Sequence, residues 1–523
     1  MSPQIEMHPQ RWGDPAAATS LPETARGLIE LAFGITEHPM LAGSTPPAPV
    51  IGAAALAALE GVVGVEHVLV DDATRALRTR GKSTTDLLKA RSGDLSDAPD
   101  VVVRPADQAE IEALLAVAAS HRLAVVPFGG GTSVTGGLVA ARAAYAAVVS
   151  LDLVRMKRLL GVDEESMTAT LEPGLRGPEA EALLAEHGMT LGHFPQSFEF
   201  ATVGGFAATR SSGQSSAGYG RFDALVVALT VVTPSGTITV GSAPANAAGP
   251  DLRQVFLGSE GTLGVITSVT VRVRRQPVVK EYVGWRWPSF AAGADAMRTL
   301  AQEGLLPTVI RLSDEAETAI NLADPSSIGG AGDPGCLMIT GFEGTQSAVA
   351  AKRAALTSLL TDLHGVDLGE EPGLSWVHGR FNAPYLRDSM LDVGVLVETL
   401  ETATFWSNRE RLYADVKAAL ESTLGEGAIV LCHISHVYET GCSLYFTVAA
   451  KEAADPLAQW ATAKTAASDA MIAAGATITH HHAVGTDHKP WFEQEIGPVG
   501  VQVLRAIKAS LDPAGILNPG VLI

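Results

Sequence analysis

The pattern of apolar and polar residues changes at about residue 99, where a regular mixture of strand and helix signals begins. Residues 101–104 form a short β-type run, and residues 106–121 carry Ile111, Leu114 and Ala118 at helical spacing. Residues 123–126 return to a β pattern and lead directly into a run of glycines. This order predicts a strand, a helix and a second strand before the glycine-rich segment.

The same mixed pattern continues to about residue 275. Further β-type runs occur at 146–150, 168–171 and 265–274. Residues 179–187 predict a helix that stops at Gly188. Residues 225–240 predict a hairpin whose turn is Thr233-Pro-Ser-Gly236. Because β runs outnumber helices here, the segment is predicted to be α+β.

The rest of the chain divides around this unit. Residues 1–95 predict a helical segment, residues 96–277 the α+β unit, residues 278–475 a second α+β unit, and residues 476–523 a closing segment. In the second unit, residues 409–421 and 457–474 predict helices. The last helix is expected to bury an apolar side made of Val499, Val503, Leu504, Ile507 and Leu511.

Composition excludes several classes of protein. The chain has 523 residues, 46% of them hydrophobic and 18% charged, which is typical of an ordered protein with more than one core. A net charge of −20 argues against a nucleic-acid partner, because phosphate backbones require basic surface. Three cysteines favour a reducing cytoplasm. We expect neither a secretory signal nor a membrane span.

The segment Gly129–Gly137 is the first candidate for binding chemistry. Glycines allow backbone N–H groups to approach a pyrophosphate closely. The dinucleotide pattern G-x-G-x-x-G does not fit, because its last glycine would fall on Val134. By itself the segment is as consistent with a tight turn. Two further segments rich in glycine and hydroxyl groups, 193–213 and 258–266, favour a bound cofactor.

Together the three segments resemble the FAD domain of the vanillyl-alcohol oxidase family, which is of the PCMH type. The resemblance implies an α+β fold with a two-subdomain FAD-binding domain and an α+β substrate-binding cap. With no histidine in the glycine loop, it implies FAD bound without a covalent link. The residues it implies as FAD contacts are Pro127, Phe128, Gly129, Gly130, Gly131, Thr132, Ser133, Gln196, Ser197, Phe198, Glu199, Phe200, Ala201, Thr202, Thr209, Arg210, Ser211, Ser212, Glu260, Gly261, Thr262, Leu263, Gly264, Val265 and Ile266.

Within that family the chain resembles the alkyldihydroxyacetonephosphate synthases over most of its length. The segments that carry this resemblance are Arg11-Trp-Gly-Asp, Phe200-Ala-Thr-Val-Gly-Gly, Ile310-Arg-Leu-Ser-Asp, Tyr385-Leu-Arg-Asp, Glu401-Thr-Ala-Thr-Phe-Trp, the Tyr445 segment and the histidine block, His480, His481 and His482. The resemblance implies catalytic roles for Tyr445, Arg311 and the histidine block. It implies that Arg387 binds an anionic group of the substrate.

Each of these residues also has an ordinary structural interpretation. Tyr445 lies in a β-type run and would by default be a packing residue. In an extended strand His480 and His482 would face one way and His481 the other. Arg311 and Arg387 would by default form ion pairs. We expect no metal, because no second cluster of ligands at metal spacing is evident.

The implied reaction exchanges the acyl chain of acyl-dihydroxyacetone phosphate for a fatty alcohol, with no net redox change. For acid–base work at neutral pH, nearby charge must lower the pKa of Tyr445. Ala483 stands where the synthases have glycine, and the C-terminus Asn518-Pro-Gly-Val-Leu-Ile resembles hydroxyacid oxidoreductases instead.

Two alternatives therefore stay open: an FAD-dependent D-2-hydroxyacid or alcohol dehydrogenase or oxidase, and a flavin-binding protein without catalysis. The expected partners are a small lipid or hydroxyacid substrate, a second copy of the chain in a homodimer, and a loosely contacted membrane surface. No nucleic acid is expected.

Overall fold

A computed structural model describes residues 5–18, 20–38, 44–142, 144–320 and 334–523. The strands are β1 Val68–Leu69, β2 Val101–Val103, β3 Leu123–Phe128, β4 Ala147–Asp152, β5 Leu159–Asp163, β6 Thr168–Leu171, β7 Met189–Thr190, β8 Val226–Thr233, β9 Gly236–Val240, β10 Val265–Arg272, β11 Arg274–Arg275, β12 Val279–Trp287, β13 Val309–Ser313, β14 Cys336–Gly344, β15 Val366–Asp367, β16 Val395–Phe405, β17 Ile429–Ile434 and β18 Gly441–Lys451.

The α-helices alternate with these strands. They are α1 Glu23–Phe33, α2 Ala53–Val63, α3 Asp72–Leu77, α4 Thr84–Arg91, α5 Gln108–His121, α6 Gly177–Ala185, α7 Val203–Ala208, α8 Ser216–Tyr219, α9 Phe222–Leu225, α10 Arg253–Phe256, α11 Phe290–Gln302, α12 Glu315–Ile320, α13 Gln346–Asp362, α14 Glu371–Gly379, α15 Ala383–Leu391, α16 Arg409–Leu424, α17 Pro456–Ala473 and α18 Lys489–Leu511. The predicted α+β class is confirmed.

Two sheets build the first unit. One has the order β1-β2-β4-β3, with β2, β4 and β3 parallel, and it packs against α2 and α5. The other is an antiparallel sheet of order β5-β6-β10-β8-β9 with its own core. The helix predicted near 106–121 and the hairpin that turns at 233–236 are both confirmed. Each sheet buries its own apolar face, so this unit consists of two subdomains.

The second unit is built on a seven-stranded sheet of order β15-β12-β14-β13-β17-β18-β16. Helices α11, α13, α16 and α17 cover one face of this sheet and form the largest core. Because side chains alternate along a strand, the residues between the core positions point to the opposite face. On β18, Phe446 and Val448 are buried in the core, whereas Tyr445, Thr447 and Ala449 line a cavity.

The two ends of the chain pack back onto these units. Near the N-terminus the Trp12 N–H donates to the Asp388 carboxylate, and α1 packs on Val393 and Val395. Near the C-terminus Leu517 bridges to Val125 of β3, and the Asn518 amide donates to the Glu260 carbonyl. The N-terminal segment therefore packs on the second unit, and the C-terminus packs on the first.

The last helix differs from its predicted form. Gly497 has non-helical backbone angles and precedes Pro498, so α18 is kinked there. Val499 and Val503 are 70% and 53% exposed, whereas Ile507 and Leu511 pack on a core. The predicted apolar side of this helix is therefore wrong at Val499 and Val503, because after the kink the buried valine is Val501 instead.

Candidate active site

A cavity of about 900 Å³ lies between the first unit and the open face of the cap sheet. The glycine segment and the segments 195–214 and 260–266 form one wall, and strands of the cap sheet form the opposite wall. Helix α1 contributes a third wall. The cavity is the place where the predicted cofactor segments and the predicted catalytic residues meet.

The glycine segment lies tightly against its neighbour. A Cβ on Gly130 would lie 2.0 Å from the Phe200 carbonyl oxygen, and a Cβ on Gly129 would lie 2.4 Å from Thr202 Oγ1. Thr202 is the N-cap of α7, where its hydroxyl accepts the Gly205 N–H at 3.2 Å. Only glycine allows the backbone of this loop to approach both the neighbouring segment and the cavity.

Most of the expected FAD contacts line the cavity. Those that do are Pro127, Phe128, Gly129, Gly130, Gly131, Thr132, Ser133, Gln196, Ser197, Ala201, Thr202, Thr209, Ser211, Ser212, Glu260, Gly261, Gly264 and Ile266.

The others point elsewhere. Leu263 and Val265 are core residues, Thr262 is buried against Ser259, and Arg210 pairs with Asp223. Phe200 packs on Trp12, Phe198 packs on Phe194, and the Glu199 carboxylate accepts the Tyr385 hydroxyl at 3.4 Å.

Two glutamine side chains on the cavity wall each have an amide atom without a hydrogen-bonding partner among the described residues. Gln214 Nε2 lies 3.4 Å from Gln196 Oε1. Among the residues that the structure describes, the buried Gln196 Nε2 and Gln214 Oε1 find no hydrogen-bonding partner. A buried amide without partners is costly, so the pair offers one donor and one acceptor to a polar ligand. The glycine cradle and these amides fit the ring and phosphates of a flavin.

Tyr445 stands at the centre of the opposite wall. In the sheet it is paired with His433 on one side and with Glu401 on the other. Its ring stacks on that of His433 at 4.7 Å between centroids. Burial raises the pKa of Tyr445 to about 12. The expected lowering of its pKa by nearby charge is therefore wrong, and the phenol holds its proton at neutral pH.

Arg311 belongs to a buried group of charges beside Tyr445. Its guanidinium pairs with Glu317 and lies 2.9 Å from His433 Nδ1, while His433 Nδ1 lies 3.1 Å from Glu317 Oε2. Burial opposes ionisation of Glu317, but His433 and Arg311 hold the pKa of its carboxyl at about 2. Burial and the charge of Arg311 lower the pKa of His433. The guanidinium is thus held rigidly at the cavity wall.

The histidine block wraps around the Glu401 carboxylate and is not extended. The backbone N–H groups of His480, His481 and His482 donate to this carboxylate at 2.7, 3.0 and 2.9 Å. Burial opposes ionisation of Glu401, but His481 holds its pKa well below the usual range. The bend places His481 and His482 on the cavity wall and His480 behind them, so the alternation of faces that an extended strand would give does not occur.

His480 joins a further set of side chains behind the wall. Its Nε2 lies 2.6 Å from the Tyr438 hydroxyl, and its Nδ1 lies 3.0 Å from His481 Nδ1. The ring of His436 stacks on His480 at 4.8 Å, and His436 Nδ1 lies 2.7 Å from Ser216 Oγ. Within the described residues, His436, His480 and His481 offer ligand atoms within 4.8 Å of one another. The absence of a metal stays a prediction.

Arg387 lines the cavity close to a second cation. Its guanidinium donates to the Lys82 carbonyl at 2.7 Å and pairs with Asp388 at 3.2 Å. Lys82 also lines the cavity, and its ammonium donates to the His8 carbonyl at 2.5 Å. Burial lowers the pKa of Lys82 to about 8. Two cationic groups at this end of the cavity suit a phosphorylated substrate.

Helix α1 gives the cavity an apolar wall. Leu21 lies just before it, and Ala25, Leu28, Ile29, Ala32 and Phe33 line the cavity from within it. Such a surface suits a long alkyl or acyl chain, because binding there transfers the methylene groups of the chain out of water, which is favourable in free energy. In the part of the chain that the structure describes, no helix has the length and apolar character needed to cross a membrane.

Comparison with known proteins first defines the class. Residues 99–242 match the FAD binding domain model, and residues 276–522 match the model for the C-terminal domain of FAD linked oxidases. The solved structure of p-cresol methylhydroxylase superposes with a TM-score of 0.69 over 90% of this chain and 98% of that one, at 16% identity. The protein is therefore a two-domain FAD-binding flavoprotein with the PCMH-type fold.

More similar proteins define the family. An alkyldihydroxyacetonephosphate synthase from Dictyostelium discoideum is 34% identical over 476 residues, which cover 87% of this chain and 78% of that protein. A solved alkyldihydroxyacetonephosphate synthase superposes with a TM-score of 0.85 and 30% identity over 98% of both chains. The chain belongs to the alkyldihydroxyacetonephosphate synthase family, as the resemblance in its sequence indicated.

Sequence reasoning missed several residues of this site. His433, Glu317, Glu401 and Lys82 were not singled out for a role, although the structure places each beside a predicted residue. His433 occupies the position opposite Tyr445 in β17, which only the strand register reveals. Glu401 begins one of the segments that carry the resemblance, but the sequence gives no sign that its carboxylate accepts hydrogen bonds from residues 79 to 81 positions later.

Proposed function

We propose that this protein exchanges the acyl chain of acyl-dihydroxyacetone phosphate for a fatty alcohol, giving an ether lipid precursor and a fatty acid. The observation that carries the proposal is that one cavity joins a flavin cradle, two cations, a wall of proton-transferring groups and an apolar helix. These four surfaces match the ring, phosphate, reacting carbon and alkyl chains of such a reaction. The membership of the chain in the synthase family supports the same assignment.

FAD is the cofactor of the proposed reaction, held without a covalent link by the glycine cradle, Gln196 and Gln214. Bound FAD would supply the exchange chemistry without net oxidation or reduction. The protein's task is to position the substrate over it, to exclude water and to move protons. Arg387 and Lys82 bind the phosphate, and α1 holds the alkyl chain.

Tyr445 is the proton donor of the proposed reaction. Because burial raises its pKa to about 12, it enters the reaction with its proton, donates it to the departing acyl oxygen and takes it back as the fatty acid ionises, so that the acyl group leaves as a carboxylate. His481 and His482 lie on the same wall, and burial lowers the pKa of His482 to about 3. A neutral imidazole can accept the proton of the incoming alcohol. Arg311 orients the substrate beside Tyr445.

The proposal is tested under anaerobic conditions with the FAD-loaded protein. Palmitoyl-dihydroxyacetone phosphate and hexadecanol are added in one series, and D-2-hydroxy acids in another. We expect ether product without lasting loss of absorbance near 450 nm. Rapid bleaching by a hydroxy acid with no ether formed would instead establish a dehydrogenase. Tyr445→Phe is expected to reduce the rate by about 100-fold or more, whereas Tyr145→Phe, whose hydroxyl donates to the Gly515 carbonyl, serves as the matched control.

We propose also that the protein is cytoplasmic and contacts a membrane at α1. Leu31 of this helix is 86% exposed, and Leu28 lines the cavity while being 40% exposed. Sedimentation with anionic vesicles tests the contact, and Leu31→Glu should reduce it. Homodimerisation, implied by the resemblance, is tested by light scattering on the purified protein.

A further inference from the structure

The proposed exchange produces one proton in each turnover, and this inference rests on that function. An ester and an alcohol become an ether and a carboxylic acid. At neutral pH the acid ionises, because carboxyl groups titrate at about pH 4. The overall products are therefore ether, carboxylate and one proton. Because Tyr445 recovers its proton and the acyl group leaves as a carboxylate, the proton of the alcohol must leave the buried site by another route.

A continuous row of side chains leads away from the cavity. His481 lines the cavity, and its Nδ1 lies 3.0 Å from His480 Nδ1. His480 Nε2 lies 2.6 Å from the Tyr438 hydroxyl. His480 is 6% exposed, whereas Tyr438 is only half-buried and precedes the exposed residues Glu439 and Thr440. Both contacts are within hydrogen-bonding distance, so the row leads from the cavity to a partly exposed tyrosine next to the surface segment 439–440.

We propose that His481, His480 and Tyr438 form a relay that carries the proton of the alcohol from the cavity to solvent. His481 accepts a proton at Nε2 and releases the one on Nδ1 to His480 Nδ1. His480 releases the proton on Nε2 to the Tyr438 oxygen, which releases its own proton to water. Each group gains one proton and loses one, so one proton leaves for every ether bond formed.

The surroundings suit passage of a proton and not its storage. Burial lowers the pKa of His480 well below its ordinary value, so a proton does not stay on this ring. Burial raises the pKa of Tyr438 to about 12, so the hydroxyl remains neutral between turnovers. Glu401 Oε2 lies 3.4 Å from His481 Nδ1 and favours a proton on that nitrogen at the start of a turnover.

The outer end of the row carries two arginines and one aspartate. Arg221 lies next to the Tyr438 hydroxyl and shares Asp223 with Arg210, each at 3.2 Å. His436 stacks on the ring of His480, and its Nδ1 lies between the hydroxyl groups of Ser212 and Ser216 at 3.1 and 2.7 Å. The exit therefore passes two guanidinium groups that share one carboxylate.

The test compares proton release with ether formation in a single turnover. FAD-loaded wild type, Tyr438→Phe and the control Tyr145→Phe are mixed with both substrates in weak buffer containing a pH indicator, and samples are quenched for lipid analysis. In wild type and the control, we expect the proton and the ether to form at the same rate. In Tyr438→Phe we expect the ether to form first and the proton to lag by about tenfold or more. Added imidazole should shorten that lag.

Each other outcome rejects the relay in a distinguishable way. If Tyr438→Phe slows ether and proton equally, the hydroxyl has a structural role only. If the variant releases the proton together with the ether, the proton leaves by another route, such as with the fatty acid. One equivalent of metal in the purified protein would occupy the imidazole nitrogens of His480 and His481 and would also overturn the relay. If wild type forms no ether, the proposed function itself fails.

Discussion

Replacement of Glu401 by glutamine should loosen the histidine block more than any other single-atom change near it. Glu401 Oε1 accepts the Thr479 hydroxyl at 2.5 Å and the N–H groups of His481 and His482 at 3.0 and 2.9 Å. Its Oε2 accepts the His480 N–H at 2.7 Å. An amide can keep the bonds to one oxygen, but its NH₂ group then faces the fourth donor.

The expected cost follows from these contacts. A hydrogen bond to a charged group contributes about 1.5–3 kcal/mol, and a buried N–H left without an acceptor costs about 1–3 kcal/mol. We therefore expect Glu401→Gln to destabilise the protein by roughly 3 kcal/mol at pH 7. Since the displaced residues include His481 and His482, the rate of ether formation should also fall by at least about tenfold.

The loss of stability in Glu401→Gln should depend on pH in a direction that the pKa of Glu401 determines. The pKa of Glu401 is held below its ordinary 4.5, so its charge stabilises the folded protein fully above that pH. As pH falls below about 4.5, this contribution is lost, and the difference between wild type and Glu401→Gln should shrink. Urea midpoints from far-ultraviolet circular dichroism at pH 7 and pH 4 measure this difference.

A control variant distinguishes an effect on the active site from a general loss of protein stability. Glu172→Gln removes an equally buried carboxylate that binds the Arg158 guanidinium at 2.7 Å, and it should lower stability while keeping full catalytic rate. Equal stability of Glu401→Gln and wild type at pH 7, or a difference that grows in acid, would refute the reasoning.

Three other predictions follow from the same contacts. Gly130→Ala puts a Cβ 2.0 Å from the Phe200 carbonyl, so the purified variant should contain little FAD by its absorbance, and a full complement would contradict the cradle. Arg387→Lys keeps the charge but loses the planar fork, so KM for the phosphorylated substrate should rise about tenfold with kcat nearly unchanged; an unchanged KM would place the phosphate elsewhere. Ala483 has φ of 73°, so Ala483→Gly should stabilise by up to about 1 kcal/mol in urea unfolding, and a loss of stability would show no strain there.

The local elements could be predicted because their signals are local. The stripe of Ile111, Leu114 and Ala118 defines one face of α5, and Thr233-Pro-Ser-Gly236 forms the turn between β8 and β9. The kink in α18 was missed because the apolar spacing continues through Gly497 and Pro498. At this point glycine and proline interrupt the helix even though the apolar periodicity continues.

The site could be predicted only in part. Tyr445, Arg311 and the histidine block were chosen through the resemblance, and the structure brings all of them except His480, which lies behind the wall, to one cavity. Their partners could not be predicted, since His433 and Glu401 meet Tyr445 only through the register of a seven-stranded sheet. The direction of the pKa of Tyr445 was also predicted wrongly, because the sequence shows the charges near a residue and not its burial.

The fate of the oxygen of the alcohol tests the central claim most directly. FAD-loaded protein is incubated without oxygen with palmitoyl-dihydroxyacetone phosphate and hexadecanol labelled with ¹⁸O, and the products are separated and weighed by mass spectrometry. The account predicts ¹⁸O in the ether product and none in the released palmitate, because the bond that breaks joins the substrate carbon to the acyl oxygen. Label found in a palmitoyl ester, with no labelled ether, would show simple acyl transfer and contradict the account.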